Sequence, residues 1–479
     1  LPLAIATSMV FAVLLGLACA EADEAFDPAA TPVRPPNVVF ILADDLGYGD
    51  LSCFGQQRFQ TPHLDRLAER GMRLTQHYAG STVCAPSRCA LMTGLHTGRC
   101  EIRGNREHRR APQQGGDPLR TSEGQSPMVG PAPTIAEVLH KAGYATGAFG
   151  KWGLGYPGSA GDPTRRGFDR FFGYNCQVHA HRYFTDYLWS DTQRVAVDPA
   201  AYTPDLIREQ AIAFLRAHRA EPFFCFLPTT LPHAAMEAPA ERVRPWRDRF
   251  AQFEGRVGEY AHTKTTNPIA AFAAMVTQLD SDVGQIVAVL EELGLTDNTL
   301  IVFTSDNGPH KEGGQDPVFF DSNGPYRGHK RDLYEGGLLA PTIACWPGHI
   351  TPGGVSDFAS AGWDWLPTLC EVTGAETPAE IDGVSLVPVL LGQGDPPQRD
   401  YLYWEFHEQG GRQALRRGAW KIVRQNVRKE PAGVPELYHL PTDPAESHNL
   451  AADRPELVRE LSELMDSART PSERFDFGR

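Results

Sequence analysis

The chain is poor in the features that mark small cross-linked proteins and nucleic-acid binders. Nine cysteines are spread over 479 residues, and no two of them form a Cys-x-x-Cys pair. That spacing excludes the usual zinc-binding pairs and argues against a disulfide scaffold. Positive charge is also scarce: 45 Lys and Arg stand against 59 Asp and Glu, a formal net charge of −14. A nucleic-acid binder is not expected, and an anionic substrate would have to meet a local basic pocket. Internal repeats are absent. What remains is a chain with 41% hydrophobic residues, long enough for one large domain plus a smaller one, or for two of similar size.

No Lys or Arg precedes the opening apolar run, residues 1–20, which ends Leu17-Ala18-Cys19-Ala20. Ala18-x-Ala20 reads as the cleavage site of a signal peptide, and residues 21–36 as an acidic, flexible linker. The expected destination is the periplasm or the extracellular side. The run also approaches membrane-spanning length, which leaves a membrane anchor open, and Ala18-Cys19 leaves lipidation open.

Beyond the linker, Asn37-Val38-Val39-Phe40-Ile41-Leu42-Ala43 is a short, nearly continuous apolar run, the pattern of a strand buried on both faces. It ends at Asp44-Asp45, and adjacent acids there are costly unless solvated, paired or bound to a cation. A strand over Tyr144–Phe149 leads to Lys151, one over Phe223–Leu227 to His233, and one over Thr299–Ser305 to Asp306-Asn307. In a mainly parallel sheet these ends share one rim, where α/β proteins gather their ligands. Helices are expected over Pro62–Arg70, after a Thr134/Glu137 capping box, and over Ile269–Leu293. After about residue 380 the pattern changes. Tyr401–Phe406, Trp420–Val423 and Glu436–Tyr438 alternate like antiparallel strands, ahead of a helix around Leu457–Met465.

The most informative stretch is Cys84-Ala85-Pro86-Ser87-Arg88, followed by Thr93-Gly94 and Thr97-Gly98-Arg99. Pro86 and Ser87 suit a helix start, which places Cys84 just before the first turn, where free N–H groups favour an anion. A thiol so placed is a candidate nucleophile, or else a buried structural cysteine. The longer run, Cys-x-Pro-x-Arg with a Thr-Gly pair, resembles the formylglycine signature of the type I sulfatases. The resemblance continues through Gly150-Lys151-Trp152, Pro232-His233, Asp306-Asn307-Gly308-Pro309 and Arg327-Gly328-His329-Lys330.

That resemblance implies an alkaline-phosphatase-like α/β fold. Residues 37–379 would carry a large mixed, mostly parallel sheet sandwiched by helices. Residues 380–479 would form a smaller C-terminal subdomain of antiparallel sheet plus helix. It implies a sulfuric ester hydrolase in which a formylglycine-generating enzyme oxidises Cys84 to an aldehyde whose hydrate attacks sulfur. Asp44, Asp45, Asp306 and Asn307, with residue 84, would hold a cation. Carboxylates with an amide oxygen suit Ca²⁺ or Mg²⁺ rather than zinc, and oxygens from several loops favour Ca²⁺. Lys151 and Lys330 would contact the sulfate, His233 would protonate the leaving alcohol, and Arg88 would anchor the loop of residue 84.

One position departs from the pattern. The family reads Gly-Lys-Trp-His-Leu-Gly, with the histidine on the aldehyde hydrate, whereas this chain has Gly153 there. His310, three residues beyond Asn307, is the expected replacement, with His181 second. The basic loop from Arg99 to Arg120, with Arg103, Arg106, Arg109 and Arg110, is either simply solvated or a site for further anionic groups of a polymer. Export and this loop favour a sulfated carbohydrate as substrate. Two other functions stay open: a phosphate or phosphonate monoester hydrolase of the same superfamily, and a sulfated-glycan-binding protein impaired by Gly153.

Overall fold

Alternation along the first strand sets the layers. In the computed structural model, which describes residues 34–109, 122–261, 263–429 and 433–477, β1 (Asn37–Ala43) is buried at every position. Val39 and Ile41 enter one core with Leu64 and Leu67 of α1 (Pro62–Arg70). Val38, Phe40 and Leu42 enter a second core with Ala85, Cys89 and Met92 of α2 (Cys84–Thr93). Ile135 and Leu139 of α3 (Ile135–Lys141) join that second core. A strand covered by helices on both faces needs apolar residues in both directions, hence the nearly continuous run. The signal-peptide, anchor and lipidation readings, and Arg110, lie outside the described residues.

Among the described residues, ten strands form the large sheet. After β1 they are β2 (Met72–Leu74), β3 (Ala145–Lys151), β4 (Arg170–Tyr174), β5 (Tyr187–Ser190) and β6 (Gln193–Ala196). Then come β7 (Phe223–Pro228), β8 (Thr299–Ser305), β9 (Thr342–Cys345) and β10 (Gly354–Ser356). Their spatial order is β10-β2-β9-β8-β1-β7-β3-β4-β5-β6. The central run from β8 to β4 is parallel throughout, and pairing turns antiparallel at β9 and β5. The sheet is mixed and mostly parallel at its centre, as expected. A short helix, α4 (Gln177–Ala180), follows β4, and the long α5 (Pro268–Glu292) lines the first core. No described helix is long and apolar enough to cross a membrane.

The C-terminal part adds a four-stranded antiparallel sheet: β11 (Leu402–Phe406), β12 (Arg412–Arg417), β13 (Trp420–Gln425) and β14 (Glu436–His439). Leu402, Trp404 and Phe406 pack on Tyr78, Val83, Ala90 and Trp363. On the opposite face, Tyr403, Leu415, Ile422 and Leu437 meet Leu461 and Met465 of α6 (Pro455–Ser467). Helix α2 therefore lies between the two sheets. Residues Pro35–Arg479 form one compact unit.

Two local expectations shift. Helix α2 begins at Cys84 itself, not after it, with Val83 as its cap and no side-chain cap bond. Asn105 Oδ1 instead accepts from the Ala85 N–H at 3.0 Å, so a distant loop satisfies the first turn. Strand β12 is absent from the sequence reading because charged and amide side chains fill four of its six positions. Its neighbours on both sides supply the pairing.

Candidate active site

The register of β1 on β8 pairs Ala43 with Ser305, so the residues that follow each strand meet. Asp306 N donates to Ala43 O at 3.0 Å, and Asp45 N donates to Asp306 Oδ1 at 3.1 Å. From the other side, Asp44 N donates to Leu231 O at 2.9 Å, tying in the loop after β7. Cys84, at the start of α2, points its Sγ at Asp44 Oδ1 (3.3 Å) and Asp45 Oδ1 (3.9 Å). Lys151, the last residue of β3, donates to Asp44 Oδ2 at 2.6 Å. Lys330 donates to Asp45 Oδ2 at 2.7 Å and to His233 Nε2 at 3.0 Å. Arg88, one turn into α2, forks onto Asp306 Oδ2 through Nε (3.0 Å) and Nη2 (2.8 Å) and also donates to the Lys151 carbonyl. Every residue expected at the site lies in this one buried cluster or in direct contact with it.

Charge is balanced within the cluster. Asp44, Asp45 and Asp306 face Lys151, Lys330 and Arg88, all buried. Burial raises the carboxyl of Asp44, but Lys151 and Arg88 overcome it and hold the group below its ordinary value. Lys330 does the same more strongly for Asp45. Asp306 goes the other way, pushed up to about 7 by burial and the Asp44 charge despite Arg88. Burial also drives the Cys84 thiol well above its usual range, against the pull of Lys151 and Lys330. Burial therefore works against a thiolate at residue 84.

The donor set suits a hard cation. Asp44, Asp45, Cys84 and His233 offer ligand atoms within 4.8 Å of one another. Asn307 Nδ2 donates to Asp45 Oδ1 at 2.6 Å and to Gly308 O at 2.9 Å, while its Oδ1 is buried and accepts nothing. A buried acceptor beside carboxylates fits a site for an oxygen-liganded dication. Such an ion turns a neutral cluster into one with net positive charge, complementary to an anionic ester.

His310 lies against the cluster, its ring 5.7 Å from that of His233. Its Nδ1 accepts from the Glu312 N–H at 3.1 Å, and its Nε2 faces Pro232 O at 3.3 Å. Glu312, which the sequence reading missed, forms a second group with Asp45 and His310. It opens a short glycine-containing turn, Glu312–Gly314, downstream of β8. His181 stacks on His233 at 4.1 Å with the rings nearly parallel, and its Nδ1 meets Tyr260 OH at 3.2 Å. The basic loop is only partly solvated. Arg103 is buried, donating to Cys100 O, Glu405 Oε1 and Thr470, and Arg106 lies over the Phe475 ring at 5.1 Å. Arg103 is therefore structural, because its donors are already taken.

Comparison with known proteins agrees with this geometry. The Sulfatase family model matches residues 36–375, and the model described as N-sulphoglucosamine sulphohydrolase, C-terminal, matches residues 326–470. Human arylsulfatase A is 33% identical over 90% of this chain and 87% of its own. An N-acetylgalactosamine-6-O-sulfatase of Bacteroides thetaiotaomicron is 29% identical, with 91% of this chain and 94% of that protein covered. The solved structure of Ps i-CgsB, 26% identical, shares the fold with a TM-score of 0.75 over 92% of this chain and 94% of that one. With the strand ends, the buried cluster and these likenesses in agreement, the chain belongs to the sulfatase family and is an enzyme that hydrolyses sulfate esters.

Proposed function

We propose that this sulfatase removes sulfate from a carbohydrate, with residue 84 working as formylglycine and one Ca²⁺ (or Mg²⁺) held by Asp44, Asp45, Asp306, Asn307 and residue 84. The observation that carries the reading is the unpartnered Asn307 Oδ1 within a buried, charge-balanced cluster on the Cys84 side chain. Formylglycine supplies the nucleophilic hydroxyl that a protonated, buried thiol does not. The cation, when bound, lowers the pKa of that hydroxyl and neutralises sulfate oxygens.

The chain's own residues do the rest. Lys151 and Lys330 turn from Asp44 and Asp45 toward the sulfate oxygens. His233 carries the proton to the leaving alcohol. Burial and the Lys330 charge hold its ring well below the ordinary value, so it is neutral before substrate arrives. An ester anion between Lys330 and His233 favours the charged ring once Lys330 has turned its ammonium from Nε2 to the sulfate. Arg88 keeps Asp306 and the end of β3 in register with α2. His310 braces His233 from behind through the Pro232 carbonyl.

The carbohydrate assignment rests on relatives: an N-acetylgalactosamine-6-O-sulfatase is among them, and Ps i-CgsB has been solved with a neocarrahexaose. The same reading takes residues 1–20 as a signal for export, residues 37–379 as the catalytic domain and 380–479 as a subdomain. Its test has two parts. Peptide mass spectrometry on protein made with a formylglycine-generating enzyme should show an aldehyde at residue 84. A panel of sulfated mono- and disaccharides, run beside phosphate esters, should show sulfate release from at least one sugar. Full turnover with an intact thiol, or a preference for phosphate esters, would overturn the reading.

A further inference from the structure

Position 153 lies two residues beyond Lys151, and its φ of +81° is one that glycine adopts freely. A Cβ built there would run into the carboxamide nitrogen of Gln177 and come to 3.9 Å from Arg88 Cδ. The volume a side chain at 153 would take, beside the arginine that joins Asp306 to α2, is filled from α4 instead. Gln177 is 4% exposed, and neither its Oε1 nor its Nε2 has a hydrogen-bond partner. An amide buried in that state costs roughly 1–3 kcal/mol per unmet group, so a folded enzyme that keeps one is completed there by something else. The same segment repeats the pattern: both amide atoms of Asn175 and the Nε2 of His181 are buried and unpartnered. His181 is the residue stacked on His233, which places this unmet bonding capacity along the flank of the charge cluster.

We propose that Gln177 is a catalytic residue of this enzyme, donating through Nε2 and accepting through Oε1 at the group carried by residue 84 and its bound sulfate. The proposal rests on the formylglycine reading above. It moves the function expected at position 153 to Gln177 rather than to His310, whose two ring nitrogens are already engaged. A carboxamide does not trade protons at neutral pH, so Gln177 binds and orients while proton removal stays with groups that titrate.

The test compares Gln177→Leu, which keeps the bulk and removes both polar atoms, with Gln177→His, which returns a donor and an acceptor. Formylglycine content is first equalised by mass spectrometry. Gln177→Leu should lower kcat about 100-fold with KM little changed, the signature of a contact made in the transition state. Gln177→His should recover part of that loss. A readout independent of turnover is the capture of the residue-84 aldehyde by an aminooxy probe without substrate. Capture should be faster in Gln177→Leu, because the amide no longer holds the hydrated form, and near the wild-type rate in Gln177→His. Wild-type kcat and capture in a folded Gln177→Leu protein would overturn the proposal and leave the formylglycine reading standing. Should that variant fail to fold, Gln177→Met, which also removes both polar atoms while keeping the length, gives the same comparison. An intact thiol in active wild-type enzyme would overturn both.

Discussion

Glu405 and Asp306 are both buried acids that meet arginines, yet their surroundings differ in kind. Glu405 Oε1 accepts from Arg103 Nη1 (3.0 Å) and His407 Nε2 (2.7 Å), and its Oε2 from Arg469 Nε (2.9 Å) and Tyr403 OH (2.9 Å). Burial pushes that carboxyl up, but the His407 bond and the charges of Arg103 and Arg469 outweigh it and leave it at about 2. At the rim of the large sheet, Asp306 shares its space with Asp44 and Asp45 and is pushed up to about 7. Beside it, Asn307 Oδ1 has no partner. Two buried charge clusters in one molecule thus differ: one is complete within the chain, the other leaves a buried acceptor, Asn307 Oδ1, without a partner. The first ties β11 to the loop after α2 and gains stability from it; the second spends stability on chemistry.

The comparison breaks most visibly at residue 84. Cys84→Ala should cut turnover by about 10,000-fold or more while leaving the melting transition near wild type. Asp306→Ala should remove tightly bound divalent metal and activity together, as read by metal analysis of the purified protein. Retained metal in Asp306→Ala would contradict the assignment. Glu405→Ala should do the reverse: a loss of about 3–5 kcal/mol in urea unfolding, because Arg103 and Arg469 are left buried and unpaired. The kcat of the protein that stays folded should not change.

Acid sharpens the same contrast. The Glu405 carboxyl is depressed from an ordinary 4.5 to about 2, so its contribution is complete above the ordinary value and fades as pH falls toward the depressed one. It amounts to roughly 3 kcal/mol. Melting temperatures measured from pH 6 down to pH 2 should fall more steeply for wild type than for Glu405→Gln; parallel curves would refute it. His310→Ala, which loosens the brace behind His233, should lower kcat about tenfold without affecting metal content. A metal-depleted variant would mean that His310 serves the cation instead. The smallest effect is expected at Arg106→Ala, about 0.5 kcal/mol from its contact with Phe475. Cleavage of a monosaccharide sulfate should be unaffected.

Much of the rim was legible because the chain announces it. Continuous apolar strands end in Asp44-Asp45 and Asp306-Asn307, and the ends of parallel neighbours must meet. Residues without such a marker were not legible. Gln177 acts at position 153 only through space, and the sole clue was a glycine where a larger side chain was expected. Glu312 lies well beyond the end of β8, where nothing in the sequence marks it. Arg103 reads as part of a charge run, and only folding reveals that Glu405, some three hundred positions later, takes its donors. The start of α2 was missed by one residue because its capping acceptor, Asn105, is borrowed from another loop.

The place of α2 between two sheets has a consequence in time. The Cys84 side chain is 1% exposed, with Val83 and Ala90 beneath the Trp404 face of the C-terminal sheet. No second macromolecule reaches a sulfur so enclosed. An enzyme that oxidised Cys84, as the formylglycine reading requires, would have to act after Cys84 has been synthesised and before the chain folds around it. A ribosome works from the N-terminus, so most of the chain is still to be made when that interval opens. The same packing that encloses residue 84 would set the deadline for modifying it.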